Sequence, residues 1–126
     1  MAALQDLRVL VVENDEMSAA LLQMQLVQAG AVVVGLAATV AESLRLLQET
    51  SPDVALLDYR LARNETSEPV AAALAAAGVP FVLATGMTAD QLPASMRDGV
   101  LLVKPYLSVD LSQALLRAAG RTSARA

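Results

Sequence analysis

The 126 residues include neither cysteine nor histidine. Without cysteine there are no disulfides, iron–sulfur clusters or thiolate zinc sites. Without histidine there is no imidazole acid–base chemistry, no imidazole metal ligand and no phosphohistidine of the chain's own. Aromatic residues make up only 2%, so the core has to be aliphatic. The longest apolar run, 31–41, falls well short of the roughly 20 residues that span a bilayer. Asp6 and Arg8 precede the first apolar run and the start lacks a signal-peptide layout, so the expected compartment is the cytoplasm and no membrane partner is expected.

A composition of 56% hydrophobic and 17% charged residues describes a folded chain with a sizeable core, read as one domain over 1–126. A net charge of −4 and a pI near 4.6 argue against a nucleic-acid partner. Only Arg117, Arg121 and Arg125 form a locally basic tail, and residues 122–126 are expected to fray.

Five short apolar runs, 9–12, 32–35, 54–57, 81–84 and 100–103, read as buried strands. Helical patterns lie between them. In the first, Met17, Ala20, Leu21, Met24 and Val27 share one face, and Gly30 suits the helix end. The second opens on Thr39-Val-Ala-Glu42, a capping-box pattern, with Val40, Leu44 and Leu47 on one face. A polar loop, 62–67, leads to a third that has Pro69 in its first turn and ends at Gly78-Val-Pro80. Gln91-Leu-Pro93 interrupts the only space for a fourth, so a short or partly melted helix is expected within 86–99. The fifth follows Pro105, with Ser108 as N-cap and Leu111, Ala114, Leu115 and Ala118 facing inward. Alternating strands and helices imply right-handed crossovers and a parallel α/β sheet covered on both faces.

The residues that follow the strands carry the chemistry. Glu13, Asn14 and Asp15 follow the first, Asp58 the third, Thr85 the fourth and Lys104 the fifth. In an open parallel sheet these ends share one rim, where ligands bind. Asp58 is a carboxylate able to form an acyl phosphate. Glu13, Asn14 and Asp58 offer the hard oxygens that Mg²⁺ prefers. Lys104 supplies positive charge, Thr85 a hydroxyl, and Gly86 behind it room for close approach. Each has an ordinary reading too: Asp58 as a turn residue, Asp15 as the cap of the first helix, Thr85-Gly86 as a turn and Lys104 as an exposed charge. Four mutually complementary strand ends favour a phosphoryl site.

Val9-Leu-Val-Val-Glu13, Pro52-Asp-Val-Ala-Leu-Leu-Asp58, Thr85-Gly86 and Val103-Lys-Pro-Tyr106, in this order, resemble the CheY-like receiver domains of two-component response regulators over residues 7–119. Pro80-Phe-Val-Leu-Ala-Thr-Gly86, Leu92-Pro93 and Leu102-Val-Lys-Pro105 are similar to the single-domain "FAT GUY" receivers, whose fourth helix is short or disordered. The resemblance implies a doubly wound five-stranded sheet of order 2-1-3-4-5. It also implies a stand-alone phosphoacceptor rather than an enzyme, phosphorylated on Asp58 by a histidine kinase or a histidine phosphotransfer protein. Thr85 and Lys104 would contact the phosphoryl group. Mg²⁺ would be held by Glu13 through water, by Asp58, by the residue at position 14 and by the backbone carbonyl of Arg60. The Lys104-Pro105 bond would be cis. Output would run through contact with an unidentified protein. The first helix and the loop 105–108 would dock the kinase, and the fourth- and fifth-helix face would serve output or a homodimer.

Two departures stand out. Common relatives read Glu-Asp-Asn-Glu-Met where this chain reads Glu13-Asn-Asp-Glu-Met17, so an amide replaces a carboxylate on the metal and binding should weaken unless Asp15 turns inward. Leu101 stands where many receivers place a switch aromatic, so switching is expected to use 86–99 instead. Both departures suit a second reading, a pseudo-receiver bound by partners regardless of phosphate, which the intact Asp58, Thr85 and Lys104 oppose. A flavodoxin-like cofactor binder or small hydrolase is a third, but the acidic stretch 13–16 stands where a phosphate-binding loop would be.

Overall fold

The computed structural model describes residues 2–120, so the expected frayed end at 122–126 lies outside them. The strands are β1 (Arg8–Val12), β2 (Val32–Ala37), β3 (Val54–Asp58), β4 (Phe81–Thr85) and β5 (Val100–Val103). The α-helices are α1 (Glu16–Gln28), α2 (Val40–Glu49), α3 (Glu68–Ala77) and α4 (Ser108–Ala118), the last being the fifth helix of the sequence reading. All neighbouring strands pair in parallel, in the order β2-β1-β3-β4-β5. This is the expected doubly wound sheet.

Side-chain alternation splits the core in two. Val9, Val11, Val54, Leu56 and Val82 face Leu22 and Leu26 of α1 and Leu111 and Leu115 of α4. Leu10, Val12, Ala55, Leu57 and Leu83 face Val70 and Leu74 of α3, together with Leu92 and Met96. Each fully buried leucine adds about 1.5–3 kcal/mol. The expectation of five buried strands holds for β1, β3 and β4. It fails for the edge strands: Val32, Leu36 and Val103 are exposed, because an edge has a neighbour on one side only.

The apolar face read for α1 is not the one that meets the sheet. Met17 is 82% exposed, and Leu21, Met24 and Val27 are all more than half exposed. Leu22 and Leu26 meet the sheet instead. The helix ends are as expected. Asp15 caps the start by accepting from the Ser18 N–H at 2.8 Å, and Gly30 turns the chain with φ +94°. A Cβ at position 30 would lie 2.7 Å from that of Ala2, so the turn needs glycine for room as well as for conformation.

Thr39 caps α2 through the Glu42 N–H (3.1 Å), while the Glu42 carboxylate accepts from the Ala38 N–H (3.0 Å). Pro69 lies in the first turn of α3, and Gly78 ends that helix in the left-handed region. Ser108 is the first residue of α4 rather than its cap; the Asp110 carboxylate satisfies the Leu107 N–H at 3.0 Å. Ala118 is only partly buried, and Leu116 is buried in addition to the expected Leu111, Ala114 and Leu115. The space for a fourth helix holds two 3-10 turns, Ala89–Gln91 and Ala94–Asp98, on either side of Pro93. Proline has no N–H for a continuous helix ladder there.

Candidate functional site

Strand register assembles the site. Val12 pairs with Leu57, Asp58 with Ala84, and Thr85 with Val103. Glu13 therefore follows β1 level with Asp58, Thr85 stands one residue further along the next strand and Lys104 one further again, all at the same rim. The Lys104 Nζ lies 3.3 Å from the Asp58 carboxylate and 3.7 Å from that of Glu13. This cation offsets two carboxylates that would otherwise repel each other. Asp58 also accepts from the Tyr59 N–H at 2.8 Å, and Glu13 from the Asp15 N–H at 3.0 Å. Burial pushes the Glu13 carboxyl above its usual range, helped by the Asp58 charge, while the Asp15 N–H and Lys104 pull the other way.

Thr85 is buried, and its hydroxyl oxygen accepts from the Met87 N–H at 3.2 Å. Nothing in the protein crowds Gly86: no heavy atom lies within 4 Å of where its Cβ would be. The peptide Lys104-Pro105 is cis, as expected. Arg60 sits in the loop after β3, bridged to Thr66. The bonds closing that bridge run from the Ser67 N–H to the Tyr59 carbonyl and from the Leu61 N–H to the Glu65 carbonyl, so neither uses the carbonyl of Arg60. The Glu65 side chain ties the same loop to α2 by accepting from the Val40 N–H at 2.9 Å.

Asp15 does not turn inward. Its carboxylate is held by the backbone and hydroxyl of Ser18, both at 2.8 Å. Among the described residues no group of three or more His, Cys, Asp or Glu side chains could hold a metal. The local oxygen donors are therefore two carboxylates, Glu13 and Asp58, with the exposed Asn14 amide and backbone oxygens. All are hard donors that fit Mg²⁺, with one negative charge fewer than a third carboxylate would give.

A groove of about 420 Å³ runs from the site between α1 and the cis-proline loop, lined by Glu13, Leu21, Leu22, Lys104, Pro105 and Tyr106. Tyr106 was visible in the sequence as part of a motif but not as a wall of the site. Burial raises its phenol pKa, and the Glu13 and Asp58 charges push it the same way. The Glu65 tie has no local sequence signal, because it joins residues 25 positions apart.

No family model matches the sequence, and no curated protein does. Solved structures do match. The solution structure of SdrG from Sphingomonas melonis is 37% identical, with a TM-score of 0.76, and the match covers 94% of this chain and 98% of that one. The signal receiver domain of a modulated diguanylate cyclase from Desulfovibrio desulfuricans is 28% identical, with a TM-score of 0.80, covering 91% and 95%. The response regulator PhyR from Brucella abortus is 25% identical, with a TM-score of 0.73, but the match covers 89% of this chain and 49% of that one. No helix among the described residues is long and apolar enough to cross a membrane. With the sheet order, the four strand-end groups and these matches together, the chain belongs to the response-regulator receiver family.

Proposed function

We propose that this chain is a phosphoacceptor that takes a phosphoryl group on Asp58 from a histidine kinase or a histidine phosphotransfer protein and signals by protein contact. The observation that carries the reading is the Lys104 Nζ held 3.3 Å from the Asp58 carboxylate, with Thr85 one residue beyond Asp58's partner on the next strand. An Asp58 oxygen attacks phosphorus as the bond to the donor nitrogen breaks, and the imidazole leaves with the bonding pair. The product is an acyl phosphate whose new charge faces Lys104. Later attack by water returns the carboxylate and free phosphate. The chain is thus a self-modifying substrate rather than an enzyme acting on others, and a cytoplasmic location goes with this role.

Mg²⁺, when bound, neutralises the incoming phosphoryl charge. Glu13, Asn14, Asp58 and the Arg60 carbonyl are the groups that would hold it. Asn14→Asp should tighten Mg²⁺ about tenfold, the scale of one added charge at close range in a partly solvated site. A titration in which it does not would remove Asn14 as the cause of weak binding.

The exposed stripe of Met17, Leu21, Met24 and Val27, next to the groove that opens on Lys104, is the surface on which the donor would dock. The deciding experiment is intact mass after incubation with a small acyl phosphate, with and without Mg²⁺, beside Asp58→Asn. One Mg²⁺-dependent adduct absent from the variant supports the reading. Asn14 favours one alternative, a partner-binding domain that ignores phosphate. No adduct in the wild type with an adduct in Asn14→Asp would select that alternative.

A further inference from the structure

The 86–99 segment lacks an α-helix, yet it is closed by a specific set of bonds. Thr88 anchors its first turn: its N–H donates to the Gln91 side chain at 2.9 Å and its hydroxyl to Asp90 at 2.6 Å. The second turn opens with the Met96 N–H on the Pro93 carbonyl at 3.0 Å. The two turns are joined by Arg97. Its Nε donates to the Ala89 carbonyl and its Nη2 to the Leu92 carbonyl, both at 3.0 Å. One planar fork thus reaches back across Pro93 to two backbone oxygens of the first turn.

Two further features adjoin this fork. Upstream, the Met87 N–H rests on the Thr85 hydroxyl at 3.2 Å, so the segment begins on a group of the phosphoryl site. On the α3 side, a groove of about 360 Å³ lies between Ala71, Ala72 and Ala75 on one wall and Ser95 and Asp98 on the other. The second turn has room to move there. Leu101 supplies no aromatic ring to carry a signal from the rim.

We propose that Arg97 is a latch that holds the 86–99 segment in its resting form and so sets how far that segment yields when Thr85 turns toward a phosphoryl group. The proposal rests on the receiver reading above. When the Thr85 side chain turns to donate to a phosphoryl oxygen on Asp58, its oxygen leaves the Met87 N–H. The first turn then loses its upstream anchor, and of the polar ties between the two turns the Arg97 fork remains, beside the shared burial of Leu92 and Met96. Opening the latch moves the second turn toward α3 and loosens the cover over Leu92 and Met96, which are otherwise almost fully buried. Arg97 acts through the segment and touches no reacting atom, so it is a positioning residue.

By linkage, a bond made in the resting form and absent from the phosphorylated form opposes phosphorylation, and its removal favours phosphorylation by the same energy. The test uses the full chain as wild type, Arg97→Ala and Arg97→Lys. Amide exchange over 87–98 and the affinity for beryllofluoride with Mg²⁺ are measured on each. In Arg97→Ala, exchange there should quicken and beryllofluoride should bind about fivefold tighter, the scale of two partly exposed charge-assisted bonds. Arg97→Lys should shift the same way, because an ammonium offers its donors from a single nitrogen and lacks the fixed Nε and Nη2 fork that meets the two carbonyls. In the wild type, beryllofluoride should expose the Met87 amide.

Unchanged exchange in Arg97→Ala overturns the latch. So does faster exchange without tighter beryllofluoride binding, since that would make Arg97 a structural tie only. A lysine variant indistinguishable from wild type overturns the fork. Failure of the wild type to take either beryllofluoride or a phosphoryl group would sink the receiver reading itself, and the latch's regulatory role with it.

Discussion

Helix α1 carries Met17, Leu21, Met24 and Val27 at helical spacings and leaves all four in water, whereas the 86–99 segment has no helical repeat and buries Leu92 and Met96 almost completely. Periodicity reports that a segment is helical, not which of its faces the sheet will take. Helix α1 is apolar enough to offer two overlapping stripes. Between the Asp15 cap and the return at Gly30, it gives Leu22 and Leu26 to the sheet. The 86–99 segment solves the opposite problem. Pro93 forbids a continuous helix, but two short turns still deliver one large apolar side chain each to the core.

The largest test of this contrast is a set of three truncations. Met96→Ala should cost about 2–5 kcal/mol in urea unfolding, as expected for a fully buried side chain. Met17→Ala and Leu21→Ala should each stay within about 0.5 kcal/mol of wild type. Comparable losses at all three sites would show that the α1 stripe is packed after all. Next in size is Gly99→Ala. Its new Cβ would lie 2.6 Å from the ring of Phe81, which is 6% exposed and has little freedom to yield. A loss of about 1–3 kcal/mol is expected. Gly86→Ala, with nothing within 4 Å, should change stability by no more than about 0.5 kcal/mol.

If the α1 stripe contributes nothing to folding, its apolar character needs another use. Changing Met17, Leu21 and Met24 together to Ser should slow phosphotransfer from a histidine kinase more than tenfold, or about 1.4 kcal/mol. Phosphorylation by a small acyl phosphate should be unaffected. Parallel loss with both donors would place the defect at the rim rather than on the helix.

The fold was legible because each central strand is a short unbroken apolar run, and the site because every such run stops at a polar residue. Asp58, Thr85 and Lys104 could be placed at one rim before any register was known. The Asp15 cap was legible for a similar reason, since its partner Ser18 is three residues away. Long-range ties left no local trace. Glu65 on the Val40 amide and Arg97 on the Ala89 and Leu92 carbonyls satisfy backbone groups that only the folded chain brings near. The edge strands misled for a different physical reason. An apolar run in β2 reads like one in β3, although only β3 has neighbours on both sides.

The smallest expected effect concerns how the 86–99 segment holds together without a helix. The Thr88 hydroxyl, donating to Asp90, holds that carboxyl below its usual range, and the backbone amide of Asp90 adds to this. A carboxyl whose pKa is lower in the folded state stabilises that state when ionised. Its contribution is therefore complete above about pH 3.9, the ordinary aspartate value, and fades as the pH falls through the lower folded value. The stability difference between wild type and Asp90→Ala should accordingly be small and constant near neutrality, and shrink below about pH 3.9. A difference that persists unchanged at acid pH would mean that Asp90 acts through packing rather than charge. The first turn would then owe its form to the buried Leu92, and the contrast with α1 would reduce to apolar burial alone.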